Sequence, residues 1–151
     1  MCPLHIERMK LAEMIAGEVD VLGDWNGGPK VTRHDAYAPY KFAVVIENYL
    51  DDYWFTEKIL NAFSTRTVPI YFGARKISKD FDITGIIQVK RLWDIPQVIE
   101  DIKGAGVDRV YNNRRAAIER NFRAVQKYQD FEDWFFKNHE GVLQEIWNYQ
   151  S

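Results

Sequence analysis

The chain has 151 residues, of which 46% are hydrophobic and 15% aromatic, and its formal net charge is -2 at pH 7. This length allows one domain with a sizeable core, and the composition argues against an intrinsically disordered chain. The near-neutral charge argues against a general role in binding nucleic acids or membrane surfaces. Cys2 is the single cysteine, which excludes an internal disulfide framework and favours a reducing compartment. With neither a signal peptide nor a transmembrane segment visible, we expect a cytoplasmic or membrane-peripheral protein.

The N-terminal part of the chain predicts a helix, a short strand and a polar loop. The helix runs from Leu4 to Ala16 and is stopped by Gly17. The residues of its expected apolar face are Ile6, Met9, Leu11, Met14 and Ile15. A short strand is expected at Val19 to Leu22, and the Gly- and Pro-rich segment from Asp24 to Pro39 predicts a loop.

The stretch from Tyr40 to Gly73 predicts a strand, a loop, a helix and a second strand. Phe42 to Ile46 is a continuous apolar run, typical of a strand that is buried on both faces. Thr56 is a favoured N-cap and begins the helix. The apolar residues behind that cap are Ile59, Leu60, Ala62 and Phe63. Val68 to Phe72 forms the second strand.

The rest of the chain predicts one more strand and then helices. After a linker that Phe81 anchors to the core, Ile86 to Val89 is a third strand. Asp94 begins a helix with Gln97 at a capping-box offset, an apolar face of Ile95, Val98, Ile99 and Ile102, and an end at Gly104. Two further helices are expected, a charged one at Val107 to Gln126 and an aromatic one at about Asp130 to Tyr149.

These elements predict an α/β fold with a small, mostly parallel sheet flanked by helices and a helical C-terminal tail. We expect a single domain, with an α/β core over about 1–104 and C-terminal helices over 105–151. The load of aromatic side chains in the last helix, Trp134 and Trp147 among them, is expected to serve packing or self-association.

Polar residues cluster at the predicted carboxyl ends of the strands. Glu47 and Asn48 end the first strand abruptly, and Glu57 and Lys58 lie in the first turn of the helix. Ligands of open α/β sheets bind at this edge, where a helix N-terminus offers free N–H groups to a phosphate. The alternative is that Glu57 and Lys58 are solvated first-turn residues. That alternative suits an acid, but a lysine there opposes the helix dipole and needs a partner.

The loop between strand and helix holds two adjacent acids, Asp51 and Asp52, followed by Trp54. Two neighbouring carboxylates without further ligands at suitable spacing make a poor metal cage, so we expect neither a metal nor another cofactor. Trp54 offers a planar surface for stacking on a ligand, or else packs on Tyr53 or Phe55.

Four segments together resemble the donor-binding signature of the α1,3/4-fucosyltransferases, glycosyltransferase family 10. They are Tyr40-Lys41-Phe42, Glu47-Asn48, Thr56-Glu57-Lys58 and Val68-Pro69 through Gly73, in order and at fitting spacing. Weaker similarity extends from about Arg8 to about Val89. The resemblance covers only the C-terminal, donor-binding half of that family, and the acceptor-binding half has no counterpart in this sequence.

The resemblance implies a Rossmann-like half of a GT-B glycosyltransferase that binds GDP-fucose without a metal. Arg8 matches the family arginine that reaches the donor phosphates, and Lys58 suits the same diphosphate. A carboxylate suits the hydroxyls of a ribose, which makes Glu57 the candidate there and the candidate catalytic residue. Asn48 is expected to contact phosphate or sugar, and Trp54 to stack on the donor.

The expected reaction is inverting transfer of fucose to a saccharide hydroxyl, with the chain incomplete and inactive by itself. The alternatives are a non-catalytic nucleotide-sugar binding module, or half of a GT-B enzyme that uses another nucleotide sugar. We expect either a homo-oligomer or a partner that supplies the missing N-terminal half. From the sequence, Lys58→Ala should leave folding intact or slightly improved, because it removes a cation from the positive end of a helix dipole.

Overall fold

The computed structural model describes residues 3–23 and 30–128. Within them, the helices are α1 (Pro3–Ile15), α2 (Arg33–Tyr37), α3 (Glu57–Ser64), α4 (Ile95–Ala105), α5 (Val107–Asn112) and α6 (Arg115–Val125). The strands are β1 (Phe42–Ile46), β2 (Val68–Phe72) and β3 (Ile87–Gln88). Short 3₁₀ turns occur at Ile77–Lys79, Ile83–Gly85, Leu92–Asp94 and Gln126–Tyr128. No helix of the described part has the length and apolar character needed to cross a bilayer.

The three strands form a parallel sheet in the order β1-β2-β3. Phe42 lies opposite Val68 and Ile46 opposite Phe72, while Ile70 pairs with Ile87. A parallel pair needs a crossover connection, and α3 supplies it between β1 and β2. The predicted α/β class and the parallel sheet are therefore confirmed.

The core lies on both faces of β2. Tyr71 enters one cluster, formed with α3 and Phe81, whereas Ile70 and Phe72 enter a second cluster, formed with α1 and α4. All five residues of β2 are buried, as expected for a strand covered on both faces. The predicted buried residues of α3 are all confirmed, and so is the anchoring role of Phe81, which is 4% exposed.

Helix α1 has the expected bounds to within one residue, but its predicted apolar face is right for only two of its five residues. Leu11 and Ile15 are buried, whereas Ile6, Met9 and Met14 are 40–61% exposed. Only the narrow stripe that includes Leu4, Leu11 and Ile15 contacts the core cluster on this face of the sheet. Apolar residues lie all around this helix, so the sequence did not distinguish the stripe that packs.

The predicted strand at Val19 to Leu22 does not form. The backbone N–H groups of Glu18 and Val19 both donate to the Ile15 carbonyl, which turns the chain at the end of α1. The segment after this turn lies across a cleft of about 820 Å³ from β1, and both line it. No ladder joins 19–22 to β1 in the described sheet.

Strand β1 is consequently the edge of the described sheet: its residues pack against the core clusters on both faces, as expected, but they are less buried than those of β2. Val45 alone is fully buried, and the other four residues of β1 are partly exposed. The segment before β1, predicted as a loop, contains the short helix α2, which Thr32 caps by accepting from the Asp35 N–H at 3.1 Å.

The predicted capping box of α4 is also wrong, although three of the four predicted buried residues, Ile95, Ile99 and Ile102, are buried and Val98 is partly buried. The Asp94 carboxylate binds Arg91 at 2.6 Å instead of a backbone N–H, and the Gln97 amide donates to Asp101 at 2.9 Å. The helix passes through Gly104 and ends before Gly106, whose φ of 89° suits a residue without a side chain.

The remaining differences concern the length of elements. The third strand is shorter than predicted, and the charged helix expected over Val107 to Gln126 divides into α5 and α6 at Asn113 and Arg114. The aromatic helix expected at Asp130 to Tyr149, with Trp134 and Trp147, lies outside the described residues, so that helix and its self-association stay predictions.

Candidate functional site

The site at the carboxyl end of β1 is built around the carboxylate of Glu47, which is fully buried. Its Oε1 accepts from the Thr56 N–H at 3.0 Å, and its Oε2 accepts from the Thr56 hydroxyl at 2.7 Å. The Tyr71 hydroxyl donates to Oε1 at 3.5 Å. These contacts join the end of β1 to the N-cap of α3 and to β2.

Lys58 lies in the first turn of α3 and has the partner that its position requires. Its Nζ donates to the Thr56 hydroxyl at 3.1 Å and lies 3.8 Å from Glu47 Oε2 and 3.5 Å from Glu57 Oε1. The side chain is 23% exposed, so the ammonium group lies at the surface of a largely buried cluster. Its contact with a buried carboxylate changes the expectation for stability, because removal of Lys58 leaves that carboxylate less compensated.

Arg8 meets the same edge of the sheet from α1. Its guanidinium donates a hydrogen bond to the Asn48 side-chain oxygen. Tyr37 lies beside this group: burial raises the pKa of its phenol, and the negative charges of Glu47 and Glu57 raise it further, while Arg8 opposes them. Arg8 thus bonds the residue next to Glu47, and Lys58 lies beside Glu47 and Glu57, so contacts at the end of β1 link the four candidates, whose binding roles stay predictions.

Glu57 and Trp54 are the two candidates that face solvent. The Glu57 side chain is 48% exposed, and Trp54 is 57% exposed. Burial raises the pKa of Glu57, but its own backbone N–H and the Lys58 charge outweigh this, so that pKa lies below its usual value. Phe55, a packing partner considered for Trp54, contacts Phe81 and Tyr128 instead. Both candidates are accessible to a ligand, and their binding roles stay predictions.

The two acids of the connecting loop bind partners outside the Glu47 cluster. Asp51 Oδ1 accepts from the backbone N–H groups of Tyr53 and Trp54 at 2.9 and 3.3 Å. Asp52 pairs with Arg75 at 2.6 Å and with Lys76 at 2.7 Å. Across residues 3–23 and 30–128, no cluster of three His, Cys, Asp or Glu side chains is suited to hold a metal ion. The Asp52 carboxylate therefore fastens the loop to the segment after β2, whereas the Asp51 carboxylate holds a turn within the loop.

We expect Asp52→Asn to loosen this loop in a pH-dependent way. Hydrogen bonds from Lys76 and Arg75 hold the pKa of Asp52 below its ordinary value of 3.8. A lowered pKa means that the stabilisation is fully present above the ordinary value and is lost as the pH falls through the folded value. Hydrogen exchange of amides 52–55 should be faster in the variant at neutral pH, and the two proteins should converge in acid.

Asp51→Asn is the matched control, because an amide oxygen can still accept from the two backbone N–H groups. Its exchange should stay close to that of the unmodified chain. Equal exchange in Asp52→Asn and the unmodified chain at neutral pH would contradict a fastening role for Asp52.

Sequence reasoning missed the role of Gly73 and Tyr71 behind the site. A Cβ on Gly73 would lie 2.3 Å from the Tyr71 hydroxyl oxygen and 2.6 Å from Glu47 Cγ. The Tyr71 hydroxyl accepts from the Ala74 N–H at 3.0 Å, and burial above all raises the pKa of that phenol. A glycine directly after a buried strand was the available signal, but only the packing shows that it allows this close approach.

Comparison with known proteins agrees with this geometry. Residues 2–106 match the family model of the glycosyltransferase family 10 (fucosyltransferase) C-terminal region. The chain is 30% identical over 87 residues to the α-(1,3)-fucosyltransferase FucT of Helicobacter pylori, covering 54% of the chain and 18% of that protein. It is 31% identical over 77 residues to an α-(1,4)-fucosyltransferase of Arabidopsis thaliana, covering 51% and 19%.

Solved structures show the same fold. A crystal structure of an α1,3-fucosyltransferase with GDP-fucose aligns with a TM-score of 0.58 at 23% identity, over 74% of this chain and 35% of that one. A structure of an α1,3-fucosyltransferase with GDP aligns with a TM-score of 0.56 at 21% identity, over 81% and 43%. The chain spans less than a fifth of the length of the two curated relatives from Helicobacter pylori and Arabidopsis thaliana.

The family model covers most of the chain, including all four signature segments, and two of these, Glu47-Asn48 and Thr56-Glu57-Lys58, meet at the carboxyl edge of the parallel sheet. The predicted Rossmann-like half of a GT-B fold is confirmed by the structural alignments. This chain belongs to glycosyltransferase family 10, the fucosyltransferase family, and corresponds to its C-terminal region.

Proposed function

We propose that this chain is a single GDP-fucose-binding domain that serves fucosyl transfer to a saccharide. The observation that supports this most is that Arg8 contacts Asn48 and Lys58 contacts the adjacent Glu47, at the carboxyl end of β1 and beside the N-terminus of α3. Two cations and a helix end at one place suit a diphosphate. Membership of the fucosyltransferase family and the GDP and GDP-fucose named for its structural neighbours support the choice of donor.

The residue types suit the chemistry of glycosyl transfer. Negative charge grows on the leaving diphosphate, and cations held in place beforehand stabilise it. We assign this work to Lys58 and Arg8, which leaves no need for a metal. Glu57 is the candidate for the donor ribose and the candidate catalytic residue, because its exposed carboxylate can accept from two hydroxyls. Trp54, also exposed, is the stacking candidate.

Inverting transfer, in our proposal, needs a part of the enzyme that this sequence does not supply. The outer edge of β1 has no strand partner among the described residues, and a cleft of about 820 Å³ runs beside it. The unpaired N–H and C=O groups of such an edge strand can pair with a strand from another segment or polypeptide. A second polypeptide or a preceding segment would contribute the acceptor site and the general base.

The competing function, a nucleotide-sugar binding module without catalysis, shares the donor site but not the transfer step. A cytoplasmic or membrane-peripheral location stays a prediction.

Calorimetry of the purified chain with GDP-fucose, GDP-mannose, GDP and UDP tests the donor site. We expect binding of GDP and GDP-fucose, weaker binding of UDP, and affinities that EDTA does not change. Loss of binding on chelation would contradict metal independence. A preference for another nucleotide sugar would favour the alternative of a GT-B half with a different donor.

A transfer assay with GDP-fucose and a Gal-GlcNAc acceptor tests the need for a second part. We expect donor binding without measurable transfer by this chain. Robust transfer would contradict incompleteness while leaving the donor site intact.

A further inference from the structure

We propose that Glu47 is a positioning residue that orients the Thr56 hydroxyl and thereby holds the Lys58 ammonium group in place for an anion. The inference rests on the proposed function, because it assigns Lys58 to the donor diphosphate. Glu47 itself is fully buried and does not face the ligand. It would act through Thr56, its neighbour at the cap of α3.

Each hydrogen bond between the Glu47 carboxyl group and the described residues is donated to it. These donors are the Thr56 N–H, the Thr56 hydroxyl and the Tyr71 hydroxyl. Such an environment suits a carboxylate, which only accepts hydrogen bonds. A buried charge also needs a counter-charge, and the Lys58 ammonium, 3.8 Å away, supplies it.

The Thr56 hydroxyl then has a single allowed orientation. A hydroxyl group has one proton to donate and two lone pairs that accept. Because the carboxylate cannot donate, the proton points at Glu47 Oε2 at 2.7 Å, and both lone pairs are free for Lys58. The Lys58 backbone N–H donates to one lone pair of the Thr56 hydroxyl at 3.4 Å, and Lys58 Nζ donates to the other at 3.1 Å.

The consequence is a lysine whose flexible side chain is restrained before any ligand binds. Ordering a lysine side chain costs up to about 2 kcal/mol of conformational entropy. A group that is already ordered in the free protein does not pay this at the moment of binding. The buried carboxylate therefore contributes to anion affinity even though its charge, taken alone, repels an anion.

Glutamine at position 47 separates hydrogen bonding from shape. Its amide has nearly the same size, so the side chain still fits in the space beside Gly73. If its NH₂ group takes the place of Oε2, it donates to the Thr56 hydroxyl. That hydroxyl must then use a lone pair to accept, and it loses one of its two bonds with Lys58.

The test is a double-mutant cycle on GDP affinity with Glu47→Gln and Lys58→Met. We expect Glu47→Gln to weaken GDP binding about five- to tenfold, the size of one hydrogen bond. The double variant should bind no more weakly than Lys58→Met alone, because both changes remove the same contact. The proposal would be overturned if the fold-losses of the two single variants multiplied in the double variant. It would also be overturned if Lys58→Met weakened GDP binding and Glu47→Gln did not.

A second readout does not depend on the nucleotide. The rate at which an acetylating reagent modifies Lys58, measured by mass spectrometry against Lys103 as an internal reference, should rise about fivefold in Glu47→Gln. If the unmodified chain binds no GDP, the proposed function fails, and this rate still decides whether Glu47 positions Lys58. An unchanged rate would refute the positioning role.

Thr56 provides variants in case Glu47→Gln does not fold. Thr56→Val removes the hydroxyl at similar size and should weaken GDP binding and expose Lys58 to acetylation. Thr56→Ser restores a hydroxyl and should recover both properties. If Thr56→Val folds and leaves both properties unchanged, the hydroxyl does not hold Lys58.

Discussion

Lys58→Ala should weaken GDP binding by about 1.5–3 kcal/mol, the range for a hydrogen bond to a charged group. The reason is the position of the ammonium group at the N-terminus of α3, where Thr56 and Glu47 hold it and 23% of the side chain remains exposed. Titration calorimetry with GDP measures the loss. An unchanged GDP affinity would take the phosphate-binding role away from α3.

The same variant should be less stable, contrary to the expectation from the helix dipole alone. Loss of the Lys58 ammonium group, which lies 3.8 Å from Glu47 Oε2, leaves the buried carboxylate without its cation. The cost should lie between the ~1 kcal/mol of an exposed ion pair and the ~3–5 kcal/mol of a fully buried one, nearer the former because Glu47 keeps its other donors. Thermal melts decide the sign.

Lys103→Ala is the matched control. Lys103 also forms an ion pair, with Glu18 beyond the C-terminal end of α1, and should leave GDP affinity unchanged. Arg8→Ala should resemble Lys58→Ala in affinity. The double variant of Arg8 and Lys58 should be non-additive if both cations contact the same phosphates.

Gly73→Ala should destabilise the fold by about 3 kcal/mol or more, the upper end of the cost of overpacking a core. The new methyl group would lie 2.3 Å from the Tyr71 hydroxyl oxygen and 2.4 Å from the adjacent ring carbon. Tyr71 is fully buried and accepts from the Ala74 N–H, so its ring cannot move aside without breaking that bond. For a domain of this size, the melting temperature should fall by roughly 10 °C or more.

Gly104→Ala is the control for the added methyl group. Gly104 lies inside α4 and a Cβ there would meet nothing within 4 Å. Alanine is favoured over glycine in a helix, so this variant should gain about 0.5–1 kcal/mol. A Gly73→Ala protein as stable as Gly104→Ala would mean that the close approach at Gly73 is relaxed in solution.

The sequence by itself determined the elements with a strong local signal. The apolar run of β1, the N-cap at Thr56 and the apolar face of α3 are each set by neighbouring residues, and all three are found. The shared segments also indicated the family and the edge at which Arg8, Asn48 and Lys58 meet. Local patterns were sufficient here because caps and strand ends depend on short-range chemistry.

Tertiary contacts decided what the local pattern left ambiguous. The packing stripe of α1 depends on which side meets the sheet, and a valine-rich segment at 19–22 becomes a strand only if a neighbour offers its edge. The contact between Lys58 and Glu47 joins α3 to the end of β1, so the periodicity of neither element predicts it. The close fit of Gly73 against Tyr71 and Glu47 exists only once β1 and β2 are paired. Burial and hydrogen-bond satisfaction are properties of the folded arrangement, so a helix period or a cap rule cannot supply them.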